Sequence, residues 1–161
     1  MSYDREKAVA YAHKWAFSRN PNYYSFDEIG GDCTNFISQC LYAGSGVMNH
    51  TPETGWYYHS LQNRSPAWTS VVYLHKFLTG NHGPGPYGRE LPLEAAQPGD
   101  IIQLSFQPNH YSHSLLVTQT GPVPTPYNIL IATHTFDADN RPLASYSYVT
   151  CRLIHIEGVN S

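Results

Sequence analysis

Apolar residues recur at helical spacing through the first half of the chain and at strand spacing through the second. From Asp4 to about Ser18, Ala8, Tyr11, Ala12, Trp15 and Ala16 share one face, with Arg5, Glu6, Lys7 and Lys14 elsewhere. That spacing predicts an amphipathic helix closed by Asn20 and Pro21. A tyrosine-rich loop, NPNYYSFDEIGG, follows, and its paired glycines permit a tight approach. Asp32 then takes the N-cap position of a second helix, CTNFISQCLYAG, which stops at Gly44 and Gly46. Cys33, Phe36, Ile37, Cys40 and Leu41 form its apolar stripe. The segment from Val47 to Arg64 has no period and is expected as a long connection carrying Trp56, Tyr57, Tyr58 and His59. Ser65 and Pro66 cap a third predicted helix, AWTSVVYLHKFLTG, ending at Gly80. NHGPGPYGRELP is expected as a Gly/Pro loop.

After the turn signal QPGD the texture changes. DIIQLSF, HSLLVTQ, YNILIATH and SYSYVTCRLIHIE are short β-type runs separated by polar or proline-bearing turns. Helices first and strands second predict an α+β architecture, with N-terminal helices packed on a C-terminal antiparallel sheet. At 161 residues, without repeats or low-complexity tracts, residues 1–161 are expected to form one domain.

Hydrophobic residues make up 41% of the chain and charged ones 13%, enough apolar surface to bury a core. A formal charge of −3 and the lack of a Lys/Arg cluster leave no basic field for a phosphate backbone, so nucleic acid is not an expected partner. No apolar run approaches the roughly 20 residues that a membrane-crossing helix needs. The start, MSYDREKAVAYAHKWAF, lacks the apolar stretch of a signal peptide. As written, the chain is expected to stay where it is made, or to be secreted only if a leader has been removed.

Three cysteines cannot all pair with one another, and Cys33 and Cys40 are too far apart for a CxxC element. A cysteine in the first turn of a helix meets unpaired N–H groups and the positive end of the macrodipole, and both favour thiolate. Cys33 has that placement. Cys40 and Cys151 lie on apolar patterns and read as small hydrophobes. The bland alternative for Cys33 is a third buried thiol. A nucleophilic cysteine needs a base that can also return a proton, which histidine does near neutral pH. Of nine histidines, His113 opens the run HSLLVT and His134 closes NILIATH. On antiparallel neighbouring strands these positions come to the same edge of the sheet. His110, in the turn NHYS, competes with His113. The bland alternative for each is a hydrogen-bonded histidine at a strand end.

GGDCTNFISQCLYAG resembles the bacterial putative amidase domain family, in which a Gly-Gly-Asp-Cys-Thr-Asn-Phe block is followed by Ser-Gln-Cys. The resemblance extends to YDREKAVAYAHKWA, NPNYYSF, the WYY at Trp56, Trp68, PGDIIQL and the histidine-bearing strands. Such domains are similar to the NlpC/P60 and CHAP peptidases, so the resemblance implies a papain-like fold and a cysteine-dependent amidase or peptidase. It implies Cys33 as nucleophile, His113 as base, and His134 as the third, orienting residue, with Asp137 and Asn140 as alternatives. Substrate contacts are expected from Asp32, from Tyr24, which corresponds to the tyrosine before the NlpC/P60 cysteine, and from Trp56 along the cleft rim. A peptide or peptidoglycan-type amide is the implied substrate, and no cofactor is implied.

The expected chemistry is attack of the Cys33 thiolate on an amide carbonyl, with helix-start N–H groups stabilising the oxyanion. His113 takes the thiol proton and gives it to the leaving amine. Two other classes compete. His110, His113, His134 and Cys33 are zinc-ligand types, although HExxH and paired CxxC patterns are missing. Tyr23, Tyr24, Trp56, Tyr57 and Tyr58 could instead form a stacking platform in a non-catalytic sugar- or peptide-binding module.

Overall fold

The computed structural model describes all residues, Met1–Ser161. Helix α1 spans Arg5–Trp15, capped by the Asp4 carboxylate, which accepts from the Lys7 N–H at 3.0 Å. It buries Ala8 and Ala12 against helix α2, Cys33–Ser45. α2 is buried nearly all round, its polar Thr34, Asn35, Ser38 and Gln39 as well as the apolar Phe36, Ile37, Cys40 and Leu41, and Gly46 ends it in a left-handed conformation, its N–H on the Tyr42 carbonyl.

The aperiodic stretch after α2 carries a small antiparallel ribbon, β1 (Tyr58–Ser60) with β2 (Asn63–Arg64). The predicted third helix is two helices, α3 (Pro66–Thr69) and α4 (Val71–Gly80). Ser70 between them is extended, and its hydroxyl accepts from the Tyr73 N–H to start α4. α3 buries Ala67 and Trp68, while α4 buries Leu74, Phe77 and Leu78 and leaves Val72 exposed.

The expected Gly/Pro loop contains strand β3, Gly85–Leu91, along one edge of the main sheet. An edge position explains why Pro86 is tolerated there. Strands β4 (Ile101–Gln107), β5 (His110–Gln119), β6 (Leu130–Thr133), β7 (Ala138–Pro142) and β8 (Thr150–Asn160) complete a six-stranded antiparallel sheet in the order β3-β8-β4-β5-β6-β7. The polar sequence of β7, ADNRP, carries no strand signal, which suits the other edge.

Alternation along β5 divides the interior. Leu116 faces the helices with Ile101, Ala132, Ile154 and the α2 stripe, while Leu115 and Val117 face a second cluster with Ile102, Leu104 and Ile131. Two tryptophans fasten α2 on the helical side. Trp68 Nε1 donates to Asn35 Oδ1, and Trp56 Nε1 donates to Ser38 Oγ, each at 3.0 Å. No helix is long and apolar enough to cross a membrane.

Candidate active site

Cys33 is the first residue of α2 and is 8% exposed. Its sulfur lies 3.7 Å from Thr34 Oγ1 and faces the backbone N–H groups of Thr34 and Ser114. Burial pushes the thiol above its ordinary range, and the Asp32 charge adds to this. The N–H and O–H donors pull the other way, as donors to a thiolate must.

Asp32 sits at the expected cap position, but its carboxylate does not cap α2. Oδ1 accepts from the Phe26 N–H at 2.7 Å and from Asn35 Nδ2 at 2.9 Å, and Oδ2 receives His134 Nδ1 at 2.5 Å. Both oxygens of this buried carboxylate therefore have internal partners, and neither is open to substrate. Its own N–H donates to Thr135 Oγ1. Gly31 allows that close approach. Its φ is +97°, and a Cβ there would lie 3.0 Å from Thr135 Oγ1.

His134 follows the end of β6, 1% exposed and stacked on Phe36 with ring centroids 3.9 Å apart. Nδ1 meets Asp32, and Nε2 lies 2.8 Å from the Trp15 carbonyl and 3.0 Å from Arg19 Nη1. Both nitrogens are thus engaged away from His113. The other two candidates for an orienting residue are also occupied. Asp137 takes a two-point bond from Arg19, and Asn140 Oδ1 accepts from Thr118 Oγ1.

His113 is 8% exposed and lies on the opposite sheet face from Ser114, beside Thr133 and the Tyr146 ring. Burial, helped by the Arg141 charge, lowers its pKa to about 4, so the ring is neutral at pH 7. Thr133 Oγ1 is 3.4 Å from Nε2 and 2.9 Å from the Ser114 and His134 carbonyls. A hydroxyl has a single proton, and the carbonyls compete for it. What remains for Nε2 is an acceptor lone pair, which places the imidazole proton on Nε2 and leaves Nδ1 basic. No hydrogen bond joins the His113 ring to Cys33. The two are linked through the main chain, because the N–H that faces the sulfur belongs to the residue after His113.

Tyr24 is 41% exposed near the start of α2, its N–H on Tyr58 OH and its carbonyl on Asn35 Nδ2. Trp56 is displaced from the expected rim. It is fully buried and packs on Trp68 at 4.7 Å between centroids. His110 is exposed at the start of β5, and no group of three or more His, Cys, Asp or Glu side chains is gathered to hold a metal ion.

Sequence reasoning does not single out Thr133, Ser114 or Arg19. The first two are β-strand residues with the composition of ordinary strand hydroxyls. Arg19 carries no periodic signal, yet it joins Asp27, Asp137 and His134 and holds the Asp27 carboxyl down at about 2. Asn35, three residues after Asp32 on the same helix face, was accessible from spacing.

No solved structure matches the chain. An uncharacterized protein of Bacillus subtilis (strain 168), YhbB, is 32% identical over 144 residues, covering 88% of this chain and 44% of that protein. The chain thus spans less than half the length of this relative. The model of the putative amidase domain matches residues 2–156, a span that holds Cys33, His113 and His134 together with every helix and most of the sheet. By that match, the chain belongs to the putative amidase domain family.

Proposed function

We propose that the chain is a cysteine-dependent amide hydrolase with a papain-like arrangement, Cys33 acting as nucleophile and His113 as base. The observation that carries this reading is the environment of the Cys33 sulfur: a helix start, two backbone N–H groups and a hydroxyl, with His113 one residue from one of those donors. These donors oppose the burial that raises the thiol and are in place for a thiolate once it forms.

In the resting state both partners are neutral. His113 Nδ1 accepts the thiol proton as the sulfur attacks the amide carbonyl. The same dry surroundings that raise the thiol strengthen the attraction between thiolate and imidazolium once the proton has moved. The α2 N–H groups face the developing oxyanion, the imidazolium protonates the leaving amine, and water releases the thioester. His134 acts through Asp32, fixing the start of α2, and Thr133 orients His113. Tyr24 offers an exposed ring to substrate, and the substrate class is a peptide-type or cell-wall-type amide. Incubating wild type and Cys33→Ala with peptidoglycan fragments and a peptide mixture, with products read by mass spectrometry, tests the reading. Cleavage by wild type alone is expected, and equal cleavage by the variant would refute it.

A further inference from the structure

Arg152 is a half-buried cation at this end of the sheet, with no acidic partner within ion-pair distance. Glu90, the acid whose charge acts on it, is turned to His75 at 3.2 Å. Arg152 Nε and Nη2 both donate to Gln103 Oε1, at 3.0 and 2.7 Å, and its guanidinium stacks 3.9 Å from the Tyr111 ring centroid. The Nη1 hydrogens and the second Nη2 hydrogen have no partner in the protein. Gln103 is itself fixed, because its Nε2 donates to the Val71 carbonyl and to Ser114 Oγ. The fork is therefore held flat on an aromatic face with its outer edge free, a geometry suited to a two-point bond with a carboxylate.

Register places this fork relative to the sulfur. Gln103 faces Ser114 on one side and Arg152 on the other, so the three form one row across β5, β4 and β8. Ser114 Oγ continues the row to Thr34 Oγ1 at 3.0 Å, and the Ser114 N–H faces Cys33. Two strand spacings separate Arg152 from Ser114, roughly 10 Å. That is the reach of two to three extended residues.

We infer that the substrate carries a carboxylate, docked on Arg152, about two to three residue lengths from the amide bond attacked by Cys33. This rests on Cys33 being the nucleophile, and the test separates the two ideas. The probes are N-iodoacetyl-diglycine with a free carboxylate, the same compound as its C-terminal carboxamide, and iodoacetamide. Alkylation is located by peptide mass mapping, and each rate is taken relative to iodoacetamide on the same variant. The acid should label Cys33 on the order of tenfold faster than the carboxamide in wild type. Arg152→Gln should erase that preference, and Arg152→Lys should keep part of it. Equal rates for the two probes in wild type, or a preference that survives Arg152→Gln, overturns the carboxylate site while Cys33 stands. Labelling that bypasses Cys33 altogether overturns both.

Discussion

The residues at the candidate site divide by what their hydrogen bonds leave free. Asp32 and His134 have none of their polar atoms to spare, whereas Cys33 is surrounded by donors and His113 keeps one nitrogen open. Replacing His134 by Ala should therefore slow Cys33 alkylation less than His113→Ala does; the reverse order would exchange their roles. Asp32→Ala orphans Phe26 N–H, Asn35 and His134 in the interior, and should cost about 3 kcal/mol or more in urea unfolding. The lowered pKa of His113 also has a sign. The unfolded chain binds a proton at this site near pH 6.5 and the folded one only near about 4. Between those values the unfolded state holds more protons, so stability falls as pH drops through the window. His113→Asn should remove about 3 kcal/mol of the loss between pH 7 and pH 4, measured by unfolding at both. An unchanged loss would place the His113 ring in water.

At the scale of elements, legibility followed burial. The helix α1 was readable because it buries one face, which imposes a period on the sequence, and α2, β4, β5 and β8 were readable because burial on both sides fills them with apolar runs. The edge strands β3 and β7 were not, since an edge tolerates Pro86, Gly88 and the polar run of β7. The break at Ser70 leaves no periodic mark because a cap is a matter of one hydroxyl. Ser70→Ala should lower stability by about 1 kcal/mol in thermal unfolding without altering the sheet. The approach of the β6–β7 turn to the start of α2 was half legible. Gly30 and Gly31 announced a close contact, but its partner, Thr135, lies a hundred residues on and leaves no local mark. Gly31→Ala, strained by its φ of +97° and crowded by Thr135, should destabilise by about 1–2 kcal/mol and slow Cys33 alkylation, both read on the purified variant.

For the whole molecule, antiparallel order brings the start of β5, the end of β6 and the start of β8 to one end of the sheet, where α2 also begins. That convergence assembles Cys33, His113, Thr133, His134 and Arg152 from distant segments, and it is why the residue types were legible while their pairings were not. The resemblance implies Cys33, His113 and His134 as a triad with Asp32 at the substrate, whereas the hydrogen bonds join His134 to Asp32 and leave it none to His113. The three free thiols supply an internal control for the reactivity of Cys33. Cys151 is the more accessible thiol and Cys40 is fully enclosed. Iodoacetamide labelling of the native protein at pH 7, followed by peptide mass mapping, should modify Cys33 ahead of Cys151, and His113→Asn should abolish that lead. Modification of Cys151 first, with Cys33 following only on unfolding, would make Cys33 an inert buried thiol.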